Sequence, residues 1–475
     1  MQLQRLPKDV ERTPPGLARF VHQAPGWLPS WIADSLPALL VFGAFVFLGA
    51  RLFRLIYDFA VNIFFWDQWD LKDATLFEKH SVWQMFAWQH GPHRQGLGAL
   101  LEKAIEPYFQ WSSRTESFVA GVIITIAALC ALYLKKRLYG HLSVSDALIA
   151  VLFFIPGQFA TLFLYTNFAH GPLPLLLIVL YCLAWTCSRT LVRYSLVLML
   201  NFFAIYTGFG LLLGLLTPVL LIVDYRGPIP GSRAPRAYVA AAVAISLASM
   251  ASFFVGYKFN SAVDCFSPQP ASPTDHMKYS ALMFANFFGL QHGTGIREFL
   301  IGFTAIAALL GSLCVSGLQL FRKQNGNSSD RHTRSLIAAC LTSFCLLFCL
   351  ATAYGRLCSG LETAHASRYM IYLELGFLGL YFQLLNIARA GIRRVLLVAV
   401  LVVVSAASWH VDRTEISSLP FVKWRWKRCY LSTGDVNHCN AAVGFPIYPD
   451  PALTHLQEKL EFLRKNRLNL FADSK

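Results

Sequence analysis

Two short runs near the start of this chain hold residue types that do chemistry together: Trp66-Asp67-Gln68-Trp69-Asp70 and His90-Gly91-Pro92-His93-Arg94. Asp67 and Asp70 are three residues apart, so on a helix continuing from the preceding apolar run they share one face, with Trp66 and Trp69 at headgroup level. A carboxylate partly withdrawn from water holds its proton to higher pH. It can act as general base towards a hydroxyl, or bind a cation that neutralises a phosphate leaving group. The plainer alternative is that the acids mark the water boundary. Arg94 offers paired donors to phosphate oxygens, and His90 or His93 can donate to a leaving oxygen or bridge to a carboxylate. Far downstream, Gly355-Arg356-Leu357-Cys358-Ser359-Gly360-Leu361-Glu362 and Ser367-Arg368-Tyr369 have the look of an anion seat, although arginines snorkelling to lipid headgroups give the same pattern. Arg51 and Arg54 lie within the first apolar run, and Asp58 is spaced to pair with Arg54 along one helix face. Asn167, His170 and His292 fall in other connections on the same side.

The elements that must position these groups are apolar helices. With 55% hydrophobic and 14% charged residues over 475 positions, and a mean hydropathy of +0.48, the chain is too apolar for a soluble globule. In hydrocarbon each backbone amide must be paired within its own segment, so the apolar runs must be helical, and the alternation of a barrel is not seen. The fold class expected is all-α, a polytopic integral membrane bundle of about eleven spans. These fall near 36–57, 116–134, 145–165, 171–187, 194–206, 208–224, 237–256, 298–321, 335–354, 370–388 and 395–410. Cations collect in alternate loops: Lys135-Lys136-Arg137, Arg189 with Arg193, Arg226 with Arg233 and Arg236, Arg322-Lys323 with Arg331 and Arg334, and Arg389 with Arg393-Arg394. The connections near Asn167 and Gly208 carry none, which sets the N-terminus inside and the C-terminal tail outside. The net charge of +15 is scattered over span ends, not gathered on a stripe, which argues against a nucleic-acid partner.

Residues 1–34 read as a retained cytoplasmic segment with an interfacial anchor over 16–33, residues 35–410 as the bundle, and 411–475 as an extracytoplasmic tail. The large outer loops are 58–115 and 257–297. Capping-box spacing appears at Ser113 with Glu116, Ser143 with Asp146, and Ser81 with Gln84, the last inside an interfacial helix over 71–88. Thr207-Gly208-Phe209-Gly210 reads as a tight hairpin. The apolar stretch Tyr279 to Leu290 is too short to cross and is expected to re-enter or lie on the surface. Leu453, Leu456, Leu460 and Leu463 give the tail a helical pattern. Four cysteines, Cys265, Cys358, Cys429 and Cys439, fall on the outer side and allow two disulfides, Cys429 to Cys439 being the local pair.

The acidic pair after the first span, the His-Arg of HGPHR, the later GR followed by SRY between two spans, and the outer tail together resemble bacterial multispanning proteins related to the GT-C glycosyltransferases. Pro92 stands where such relatives read closer to Asn-Glu-His-Arg. The resemblance covers most of residues 36–475. It implies an inverting transferase of the bacterial inner membrane that moves a sugar from a polyprenyl-phosphate donor to a glycan, lipid or protein acceptor on the extracytoplasmic face. Asp67 would be base or ligand of a divalent metal ion, with Asp70 beside it and His93 in catalysis. Arg94, Arg356 and Arg368 would hold the donor phosphate, with His90, Glu362 and Tyr369 also at the substrate. An O-antigen ligase or polymerase would lean instead on His93 and the arginines. A transporter or flippase would place ionisable residues near mid-bilayer. A non-catalytic assembly subunit would keep the fold without the activity.

Overall fold

A computed structural model of the chain describes residues 30–227, 235–259, 272–322, 329–409, 413–449 and 455–472. Residues 16–29 of the expected N-terminal anchor, with Trp27, lie outside these residues, as do Arg233, Cys265, Lys323 and Leu453.

The described chain is all-α apart from one two-residue hairpin. Among the described residues six helices are long and apolar enough to cross a membrane: Ser35–Phe59, Ser113–Tyr139, Gly208–Tyr225, Ile296–Phe321, Asp330–Ser359 and Ala390–Trp409. Other expected spans are shorter. Pro172–Ala184, for example, has 13 residues, which gives it about 20 Å of length. Many helices that follow one another in the chain pack together, as Ile296–Phe321 does on Ser329–Arg356 and Ser329–Arg356 on Met370–Leu385, so these helices form one bundle. The turn Gly208–Gly210 between Thr190–Ile205 and Leu211–Tyr225 is the hairpin expected there.

At one end the cation-rich termini meet. Lys135 pairs with Asp146 at 2.7 Å, Arg193 with Asp224 at 3.1 Å, and Arg334 donates to the Leu138 carbonyl at 2.7 Å. At the opposite end lie the residues that follow Phe59, precede Ser113, and join Arg356 to Met370. The alternation of charge in the sequence thus corresponds to two ends of one body.

Several local expectations change. The run 145–165 is no single helix: Ala147–Phe153 ends before Pro156, which has no amide hydrogen to continue the ladder. A short 3-10 turn and the π-turn Ala160–Leu164 follow, and Gln158 Nε2 donates to the Phe153 carbonyl at 2.7 Å. The stretch 71–88 also breaks, into the π-turn Asp73–Phe77 and the helix Val82–Phe86. The Ser81–Gln84 box does open that second helix, through bonds of 2.8 and 3.2 Å. Asp146 accepts from the Ser143 amide at 2.6 Å, as its spacing suggests. Ser112, not Ser113, caps Ser113–Tyr139, because Glu116 turns inward to an ion pair. The stretch from Tyr279 does not lie on the surface. It forms the second half of helix Pro273–Phe287, buried from Tyr279 to Phe287 against Ile296–Phe321 and Ser329–Arg356.

The tail is not a separate unit. Trp426, Tyr430, Ile447, Leu456, Leu460, Leu463 and Leu470 share one apolar core with Ile63, Phe64, Phe65 and Trp69 of the first loop. Trp69, expected at headgroup level, is fully buried there, edge-on to Phe64 and stacked on Phe77. Burying large aromatics supplies most of the attraction between these sequence-distant segments. The Cys429–Cys439 disulfide closes as expected. It braces helix Arg413–Thr433 against Val436–Val443.

Candidate functional site

The first long helix stops at Phe59, and the chain runs irregularly to Trp66 before helix Gln68–Lys72 begins. Trp66 makes the turn in the left-handed region, φ 50°, with its amide on the Ile447 carbonyl at 3.2 Å. Asp67 therefore sits at the head of a new helix instead of continuing the old one. Its carboxylate makes no capping bond and is left 55% exposed.

The second run forms a β-hairpin in which Gln89 faces Arg94 and His90 faces His93. Gly91, at φ +53°, makes the turn that an L side chain would resist. Side chains alternate across a strand, so His90 and His93 share one face and Arg94 must point to the other. His90 meets the acids: its Nε2 is 3.9 Å from Asp67 and its Nδ1 3.8 Å from Asp70. One ligand atom from each of the three lies within 4.8 Å of the others. Asp70 also accepts from the Tyr448 hydroxyl at 2.9 Å. Burial raises the Asp70 pKa above the usual carboxylate range, His90 and Tyr448 pull it back, and Asp67 and Asp73 add to the rise. Two carboxylates suit a hard divalent cation, and the imidazole turns preference towards Mn2+ or Zn2+.

Arg94 takes no part. It is 4% exposed, and three of its donors go to backbone carbonyls: Phe253 at 3.0 Å, Val255 at 2.6 Å, and Ala87. Two of these carbonyls follow helix Arg236–Ser252, so Arg94 ties off a helix end and is unavailable to a phosphate.

Arg368 lies in electrostatic reach of Asp67, and Arg356 in reach of His93. The Arg368 guanidinium lies 5.5 Å from the centre of the Tyr369 ring. Burial opposes its charge, but Tyr165, Tyr369 and Asp67 outweigh burial and raise its pKa above the arginine norm. Tyr369 is buried beside Arg368, its hydroxyl 3.4 Å from that of Tyr279. Glu362 is exposed, and the titrating group it bears on is His365.

His93 Nδ1 lies 3.1 Å from the Gly208 carbonyl, and its ring meets His170 edge-on at 5.1 Å. A side chain at Gly208 would press on the Ala169 carbonyl, so this contact needs glycine. Burial, and next Arg356, push His93 down to about 3, so it is neutral. A carbonyl only accepts, so the proton sits on Nδ1 and Nε2 keeps its lone pair. His170 is likewise pushed well below its norm, by burial and then by His93. Its Nε2 lies 2.5 Å from the Gln95 amide nitrogen, and Gln95 accepts from Asn167 at 2.8 Å. Two uncharged imidazoles thus stand in electrostatic reach of the Arg356 and Arg368 guanidiniums.

Beneath the acids runs a buried charge network that the sequence reading missed. Lys72, fully buried, pairs with Glu102 at 2.8 Å and Glu116 at 2.5 Å. Burial pulls its pKa down, but Glu102, Glu116 and Glu106 more than offset this and it rises. Gln68 Nε2 donates to Glu116 and to the Thr166 carbonyl, at 3.0 and 3.1 Å. Buried Lys423 donates to the Leu164 carbonyl at 2.7 Å. In sequence these charges sit among polar neighbours and read as a solvated loop.

Glu106 is fully buried, and neither carboxylate oxygen has a hydrogen-bond partner among the described residues. Burial, then Glu116, pushes it up to about 9. Its folded pKa exceeds the unfolded value of 4.5, so folding takes up a proton between those values. Stability accordingly falls as pH rises through that window, by up to about 1.4 kcal/mol per pH unit. Glu106→Gln is expected to flatten this dependence. In thermal unfolding it should melt above the wild type at about pH 8 and close to it at about pH 5, and unchanged curves would show that Glu106 is ionised.

Comparison with known protein families, curated proteins and solved structures finds no match to this chain.

Proposed function

We propose that this chain is a membrane glycosyltransferase that moves a sugar from a polyprenyl-phosphate donor to a hydroxyl acceptor at the non-cytoplasmic end of its bundle. One observation carries the reading: Asp67, Asp70 and His90 form a cluster of possible ligand atoms within 4.8 Å, and Asp67 lies in electrostatic reach of Arg368. The transfer needs a base or cation for the incoming hydroxyl and positive charge for the departing phosphate. The acceptor oxygen bonds to the anomeric carbon, the carbon–oxygen bond to the phosphate breaks, and the hydroxyl proton passes to Asp67. Arg368 and Arg356 then offset the charge left on the lipid phosphate. Asp67, Asp70 and His90 would hold a divalent ion if one is used.

Neutral His93 beside Arg356 favours a second reading, a ligase or polymerase of lipid-linked glycans, in which Nε2 of His93 accepts the hydroxyl hydrogen. A carrier is favoured by a different residue. Glu374 is fully buried within Met370–Leu385, and neither of its oxygens has a hydrogen-bond partner among the described residues.

The test uses the full-length chain in vesicles with a labelled polyprenyl-phosphate sugar. Arg368→Lys should raise the donor KM about tenfold with little change in kcat, since a point charge cannot replace a two-donor clamp. An unchanged KM would remove Arg368 from the donor site. Glu374→Gln should leave transfer intact. Lipid movement that stops in this variant, without transfer in the wild type, would establish the carrier instead.

A further inference from the structure

We propose that the outward face of helix Arg413–Thr433 lies in the membrane interface and binds anionic phospholipid headgroups. The helix has two unlike faces. Ile416, Lys423, Trp426 and Tyr430 are buried, whereas Phe421, Trp424 and Leu431 are 57%, 44% and 43% exposed, with Arg425 and Arg428 exposed between them. The exposed residues recur every three or four positions and so form one stripe. Within it Phe421 stacks on Trp424 at 6.2 Å, Arg425 lies 5.9 Å over Phe421, and Arg428 lies 4.7 Å over Trp424. Arg425 also donates to the Ala442 carbonyl at 3.4 Å.

Its placement fits lipid as the occupant. Ile416 is buried in the bundle core and Lys423, two turns later, donates to the Leu164 carbonyl, so one face of the helix is held against the bundle and the opposite face is left outward. It follows the apolar helix Ala390–Trp409, whose last residue is 67% exposed. The same end of the bundle carries exposed Tyr57, Trp83, Tyr108 and Phe254, the residue types that collect where hydrocarbon meets water. Between residues 416 and 433 the exposed face carries Arg425 and Arg428 and no acid, which complements a surface of negative headgroups. Aromatic rings and arginines on one helical stripe match that boundary, where rings enter the acyl edge and guanidiniums meet phosphate.

The test places the full-length chain in nanodiscs of phosphatidylcholine, with or without phosphatidylglycerol, and takes the emission of Trp424 as the difference between wild type and Trp424→Phe. Emission should be blue-shifted, quenched by lipids brominated near the headgroup and shielded from acrylamide. Phosphatidylglycerol should strengthen this, and Arg425→Glu with Arg428→Glu should abolish the strengthening while the paired Lys variants retain it. Free quenching by acrylamide with no response to brominated lipid would overturn the proposal. Shielding from both quenchers in a particle holding two chains would assign the face to a second copy. An unchanged phosphatidylglycerol effect in the Glu variants would overturn headgroup binding.

Discussion

Asp67→Asn is expected to lower sugar transfer by about 10²- to 10⁴-fold while leaving folding intact, because it removes either the base or a ligand charge. The side chain is half exposed and makes no capping bond, so an isosteric amide disturbs little packing. The readout is turnover in vesicles beside a melting curve. Full turnover with a normal melt would end the assignment of Asp67. The same cluster sets a pH dependence. The pKa of Asp70 is raised chiefly by burial, and the ionised form is the one that binds a cation. Transfer should therefore fall as pH drops through that raised value, earlier than an exposed carboxylate would allow. Asp70→Asn should lose this acid limb together with most of the rate.

Lys72→Met is expected to cost about 3–5 kcal/mol, the range seen when one partner of a buried ion pair is removed. The ammonium is fully buried between Glu102 and Glu116, with Glu106 in reach, so its loss leaves carboxyls facing one another without a counter-charge. Burial already pushes Glu102 to about 7, and without Lys72 it would take up a proton. Denaturant or thermal unfolding measures the loss. Adding Glu102→Gln and Glu116→Gln should recover a large part of it, since a neutral network of similar shape strands no charge. A Lys72→Met protein as stable as wild type would mean that the pair is open to water. Lys72 ends the short helix that carries Asp70, so the destabilised variant should also lose transfer at temperatures where its fold still persists.

The all-α class, the apolar helices and the two-ended distribution of cations were legible in the sequence, because each depends on hydropathy and spacing within one segment. The same holds for the Thr207–Gly210 hairpin, the Ser81–Gln84 box, the Arg54–Asp58 pair at 2.8 Å and the Cys429–Cys439 bridge. Asp67, Asp70 and His90 were found by residue type, and the structure brings them together. Arg94 was misjudged for a local reason: neighbours on a strand point apart, so the hairpin that presents His93 must turn Arg94 away. Trp69, Lys72 and Glu106 were out of reach for a different reason. Their burial depends on Trp111, Glu116 and tail residues far along the chain, and no local pattern encodes such contacts. Tyr448 carried no signal at all, being one aromatic among many in a tail of mixed composition.

The Tyr448 to Asp70 bond joins residues 378 positions apart, and Asn469 reaches back across 407 to Asn62. A ribosome makes Asp67 early and Tyr448 near the end, so for most of synthesis the acids stand without the partner that orients one of them. Non-local pairings of this reach also close late in folding. A chain stopped short of residue 440 would have its long apolar helices made, with Asp70 left without the Tyr448 hydroxyl that bonds it.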